Sequence, residues 1–148
     1  MKNLKVLAIL FLFFLVTSSV YAGDKEDVQS TLNNTINAFG NKDNQAYFAA
    51  FADEYNVFTT ISSPLRFDQV AWKGFIESAW QLKFVSYHQQ DNVIQIYDGS
   101  TAIVTGYYTF KAMPEGGELD THNGRVSIIM VKQNGKWLTV HMHFSKLF

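Results

Sequence analysis

The stretch THNGRVSIIMVKQNGKWLTVHMHFS, residues 121–145, decides the fold. Two apolar-rich runs flank Asn134-Gly135, and Asn-Gly in that setting is the strongest short-range signal of a two-residue β-hairpin turn. Such a turn pairs Gln133 with Lys136. An uninterrupted ladder then sets Val131 opposite Leu138, Ile129 opposite Val140, Ser127 opposite Met142 and Arg125 opposite Phe144. The other face would carry Met130 with Thr139, Ile128 with His141 and Val126 with His143, together with Trp137. Both faces read as largely apolar, whereas an antiparallel sheet with one wet face alternates apolar and polar residues. This register predicts a sheet covered on both sides: by helices on one, and by a second copy of the chain on the other, in a homodimer or larger homo-oligomer. It also sends Arg125 and the two histidines to opposite faces unless a bulge shifts the ladder.

Outward from the hairpin, 83–97 and 101–113 read as two more strands joined at Asp98-Gly99, with Pro114-Glu115-Gly116-Gly117 as a loop. The front half reads helical. Val28, Leu32, Ile36 and Phe39 make one stripe, which Gly40 ends. Asp43 or Asn44 caps a second helix carrying Tyr47, Phe48, Phe51 and Ala52. Residues 55–61 suggest a short strand, and Asp68 caps a third helix through Trp72, Phe75, Ile76, Ala79 and Trp80. Helices followed by an antiparallel meander indicate an α+β fold.

The 148 residues suit one domain. A formal charge of −1 gives no basic footprint for nucleic acid, and the absence of cysteine removes disulfides, thiol nucleophiles and cysteine metal sites. Residues 1–22 read as a signal peptide: Lys2 and Lys5, an apolar run from Val6 to Val16, then Val20-Tyr21-Ala22 before a cut. The run is short of the ~20 residues that span a bilayer. The mature domain, 23–148, is thus expected in the periplasm or secreted, free of the membrane. Losing two lysines takes its formal charge from −1 to −3.

Gly124-Arg125-Val126, Asn134-Gly135-Lys136-Trp137 and Val140-His141-Met142-His143-Phe144-Ser145 together resemble the C-terminal hairpin of the SnoaL-like families in the nuclear transport factor 2-like superfamily. The pattern is most similar to the association domain of calcium/calmodulin-dependent kinase II and its bacterial relatives. The resemblance runs from about Val28 to Ser145. It implies a cone, with N-terminal helices packed on a curved antiparallel sheet and a pocket between them. In the kinase relatives, arginines in that pocket take small carboxylates. Arg125 matches one of them, whereas Tyr107 and Phe144 stand where two others fall. Trp80 matches a tryptophan at the pocket edge, and Trp72 stands in place of a histidine.

A ligand-binding set of Arg125, Tyr107, Trp80, Trp72 and Phe144 follows, for a small organic molecule bearing a carboxylate or carbonyl. The structural alternative for Arg125 is an ion pair with Asp53 or Glu54, since a buried guanidinium must be paired. Phe48 and Phe51 are further aromatic candidates, weighed against ordinary core. His141 and His143 could offer two metal ligands, with His88 or His122 as a third. The resemblance implies no metal there, and no cofactor is expected. Asp120 and His122 could form an acid–base pair, with Tyr55 or Tyr107 as donor, as in ketosteroid-isomerase-like enzymes. No nucleophile elbow and no phosphate-binding glycine loop occur. The expected function is an exported, homo-oligomeric small-molecule-binding domain. Its rivals are an isomerase, dehydratase or hydrolase, and a pure oligomerisation or protein-interaction domain.

Overall fold

The structure is a computed structural model that describes residues 23–60 and 66–147. The expected signal segment 1–22, the end of the expected strand at Ile61 and the expected Pro64 loop lie outside the described residues.

Residues 23–40 form α1. Its stripe faces inward as the spacing requires: Val28, Leu32 and Phe39 are buried. A valine as fully enclosed as Val28 contributes about 1.5–3 kcal/mol by leaving water. Asp43 caps α2 (Asn44–Phe48) by accepting from the Ala46 amide at 3.0 Å. The second helix is shorter than expected, because Phe51 and Ala52 already belong to β1 (Phe51–Phe58). Alternation in β1 buries Tyr55 and Val57 and exposes Asn56 and Phe58, so strand pairing outcompetes a helical continuation. The two-residue β2 (Arg66–Phe67) was not foreseen. Asp68 caps α3 (Gln69–Ala79) through the Ala71 amide at 2.9 Å. No described helix is long and apolar enough to cross a membrane.

The meander follows as read: β3 (Phe84–Tyr97), β4 (Thr101–Met113), β5 (Asp120–Gln133) and β6 (Lys136–Lys146). The strand order is β2-β1-β6-β5-β4-β3. β1 runs parallel to β6, so the sheet is mixed rather than wholly antiparallel. It is curved and open, with the N-terminal helices against its concave side, giving the expected cone.

The last hairpin departs from the uninterrupted ladder at one place. Asn134 and Gly135 both adopt positive φ, 51° and 77°, as the tight turn demands. Pairing then runs as expected from Gln133↔Lys136 to Met130↔Thr139. There the register slips, and Ile129 faces His141. Val140 is the extra residue of a β-bulge. Every β6 residue beyond it changes face, while the β5 residues keep theirs. Met142 and Phe144 join Trp137, Thr139, Val126, Ile128 and Met130 on the buried inner side. His141 and His143 move to the outer side with Arg125, whose partner is Ser145 and not Phe144. Arg125 and the histidines therefore share a face. The outer face is also more polar than the uninterrupted register implied, because Arg125, Ser127, His141, His143 and Ser145 interrupt Ile129, Val131 and Leu138.

Candidate functional site

A cavity of about 60 Å³ lies between the concave sheet and the helices. Leu32, Thr35, Ile36 and Phe39 of α1 and Trp72, Phe75 and Ile76 of α3 form its helical wall. Tyr87 and Gln89 of β3, Tyr108 and Phe110 of β4, Ile128 of β5 and Met142 and Phe144 of β6 form its sheet wall. None of the lining residues carries a formal charge. The bulge at Val140 places Met142 and Phe144 there, and Gly124 makes room for Tyr108. A Cβ on Gly124 would come within 2.4 Å of the Ser145 carbonyl oxygen as well as striking the Tyr108 ring.

Aromatic rings hold the cavity's shape. Phe39 is central, with ring centroids 5.9 Å from Tyr47, 6.0 Å from Trp80, 6.3 Å from Tyr87 and 6.5 Å from Phe110. Trp72 stacks on Phe75 at 5.2 Å and on Phe144 at 6.2 Å. Such pairs add ~0.5–1.5 kcal/mol each beyond the area they bury.

The polar groups divide into satisfied and unsatisfied. Tyr87 Oη donates to Gln89 Oε1 at 3.0 Å, and Gln89 Nε2 donates to Asn92 Oδ1 at 2.7 Å. This relay spends the Tyr87 proton and holds Gln89 in the wall. Trp72 Nε1 and Tyr108 Oη are buried with no acceptor. Trp72 Nε1 lies near the Tyr47 hydroxyl but outside hydrogen-bonding geometry. A third orphan, Trp137 Nε1, is not on the cavity wall. Burial pushes the phenols of Tyr47, Tyr87 and Tyr108 above their ordinary value of 10, so all three stay protonated at neutral pH. Trp72 and Tyr108 thus carry unpartnered donors within the uncharged aromatic shell that surrounds the cavity. A buried donor without an acceptor costs about 1–3 kcal/mol, which an acceptor on a guest would relieve.

The ligand-binding set read from the sequence is split. Trp72 and Phe144 line the cavity. Trp80 is buried behind it and donates Nε1 to the Phe39 carbonyl at 3.0 Å, fastening α3 to α1. Arg125 and Tyr107 pair with each other across β4 and β5 on the outer face, both exposed. The pocket is therefore not centred on Arg125. Nor does Arg125 pair with Asp53 or Glu54, because its exposed position needs no partner. Of the two phenylalanine candidates, Phe51 lines the cavity and Phe48 packs against the core. Tyr55 is buried and donates to the Gln69 carbonyl at 3.3 Å, outside the cavity lining. Burial, then the Asp68 carboxylate, push its phenol up to about 12.

His122 Nε2 and Asp120 Oδ2 are 2.8 Å apart, and the His122 ring lies 6.3 Å from Phe110, which lines the cavity. His141 Nδ1 is 2.7 Å from Asn56 Oδ1, and Phe58 meets the rings of His141 and His143 edge-on at 5.4 and 6.0 Å. Burial, and then His143 beside it, hold the His141 imidazole below its usual 6.5. His88 is exposed on β3. No group of three potential metal ligands converges among the described residues.

Tyr108, Tyr87, Gln89 and Tyr47 were missed. The signal for Tyr108 was present: Ala102, Val104, Tyr108 and Phe110 alternate along β4, and a one-residue slip to Tyr107 reverses the face.

The SnoaL-like domain model matches residues 28–148. The chain belongs to the SnoaL-like domain family. Solved structures agree at the level of fold. A protein from Novosphingobium aromaticivorans provisionally named a scytalone dehydratase superposes on this SnoaL-like chain with TM-score 0.79 at 12% identity, over 88% of this chain and 89% of that one. A protein from Xanthomonas campestris provisionally named a calcium/calmodulin-dependent protein kinase II association domain gives 0.70 at 19%, over 81% and 85%. A Streptomyces avermitilis protein of the nuclear transport factor 2-like family, provisionally named a dehydratase, gives 0.73 at 13%, over 86% and 98%. A search of curated proteins finds no match.

Proposed function

We propose that this SnoaL-like domain is an exported small-molecule-binding module whose ligand enters the inner aromatic cavity. The observation that carries the reading is the pair of buried, unpartnered donors, Trp72 Nε1 and Tyr108 Oη, in a shell without formal charge. They suit a compact neutral ring compound bearing a carbonyl or another acceptor. A carboxylate is disfavoured, because a desolvated anion needs a cation and the wall supplies none. A typical pocket for a drug-sized ligand is ~300–1,000 Å³, far above 60 Å³, so a guest larger than a few water molecules requires the partly buried Phe75 and Phe110 to turn aside. Thermal-shift measurements on the mature protein with matched neutral ketones and carboxylates test this. Stabilisation by ketones, lost in Tyr108→Phe, is the expected result. Stabilisation by carboxylates that depends on Arg125, or by no compound at all, contradicts it.

Self-association through the outer face belongs to the same reading. Tyr107, Val93 and Phe58 are exposed there, and similar structures carry the name of an association domain. A second reading, an isomerase, dehydratase or hydrolase, is favoured by one observation. The Asp120–His122 pair touches the cavity wall through Phe110 and could hold a proton in reach of a bound guest. His122→Gln would then abolish turnover of a ligand that Trp72 and Tyr108 still bind.

A further inference from the structure

Asp24 is the second residue after the cut expected between Ala22 and Gly23, and it is buried, with 3% of its surface exposed. Its Oδ1 takes Lys132 Nζ of β5 at 2.5 Å, an ion pair that ties the start of α1 to the sheet. Lys132 in turn lies 5.6 Å above the Trp137 ring. Asp24 Oδ2 is buried without any partner. It faces the β3–β4 turn, where even a Cβ on Gly99 would stop 3.9 Å away. The other charged residues nearby, Lys25, Glu26 and Asp27 on the same turn of α1 and Asp98 on the facing turn, are exposed. A carboxylate with half its acceptor capacity sealed from water and unused is costly.

We propose that maturation itself completes this site: the α-ammonium of Gly23, created by cleavage after Ala22, pairs with Asp24 Oδ2. Hydrolysis adds water across the Ala22–Gly23 peptide bond. The departing segment keeps the new carboxylate, and the Gly23 nitrogen keeps the electron pair and becomes an ammonium at neutral pH. A single neutral amide N–H is replaced by a charged group with three donors, one residue before Asp24. Open space around the Gly23 Cα leaves the new terminus free to turn. Asp24 also supplies the negative charge that the N-terminus of α1 favours, offsetting the unfavourable placing of a cation there. The folded domain is thereby tuned to its processed form, and an N-terminally extended chain is left with the orphan.

The inference rests on the export reading, and its test separates the two. Protein released by a site-specific protease to begin at Gly23 is compared with the same protein acetylated at Gly23 and with a chain retaining Ala22. The free Gly23 form should melt higher by roughly 3–6 °C. Its α-amino group, followed by NMR, should titrate clearly above the ordinary ~7.7–8.0. Asp24→Asn should abolish both differences; if that variant does not fold, the amino-group titration in the unmutated chain decides alone. Equal melting with an ordinary α-amino pKa overturns the ion pair. An exported protein whose mass places its first residue elsewhere than Gly23 overturns the proposal through the export reading instead.

Discussion

Trp72 and Tyr108 each carry a donor into the interior and find no acceptor there, while Tyr87 beside them is fully engaged through Gln89 and Asn92. The difference makes the first two useful to a guest. Tyr108→Phe removes an unsatisfied hydroxyl, so stability should hold or rise by up to ~1 kcal/mol while ligand affinity falls about tenfold. Denaturant melts and binding titrations on one preparation check both halves. Arg125→Ala should leave cavity binding unchanged, because the guanidinium is exposed on the other side of the sheet. Trp72 and Phe144 were named as pocket residues through the family resemblance, and both line the cavity, although the uninterrupted register had set Phe144 on the face of Arg125. Arg125 and Tyr107 were placed in the pocket by the resemblance; they pair with each other on the outer face, and the β6 bulge parts Phe144 from Arg125.

The extra residue of that bulge is Val140, and the element it interrupts sets the character of both faces. A regular hairpin follows from Asn134-Gly135, but a bulge six residues on leaves no comparable mark in a run that is apolar on both sides of it. The same strands hold the tightest backbone approach at the site. Gly124→Ala drives a Cβ against the Ser145 carbonyl and the Tyr108 ring, and should destabilise by roughly 2–3 kcal/mol, read as a lower urea midpoint at unchanged slope. His141, held below its ordinary 6.5 on β6, gives a pH signature. The folded chain binds this proton less readily than the unfolded chain. The contribution is therefore fully present above pH 6.5 and is lost as pH falls below it. His141→Gln should flatten the acid side of the stability profile; an unchanged slope would show that His141 carries none of it.

At the scale of the molecule, the α+β class, the three helices and the four-stranded meander were readable because amphipathic period and turn chemistry agree along most of the chain. The parallel pairing of β1 with β6 was not, since nothing local to Phe51–Phe58 names a partner almost ninety residues away. Three phenols lifted above 10 by burial make the whole core sensitive to base. The unfolded chain ionises them near 10 and the folded chain resists, so stability is complete below pH 10 and is lost as pH rises further. Tyrosinate absorbance from these residues should appear together with unfolding. The central claim, that a neutral guest binds inside the cone at Trp72 and Tyr108, is tested most directly by NMR of the three tryptophan indole N–H signals during titration with a stabilising ketone. The Trp72 signal should move downfield as it gains an acceptor, with Trp80 and Trp137 little changed and the Arg125 side-chain signal still. Movement at Arg125 with Trp72 unmoved would contradict it.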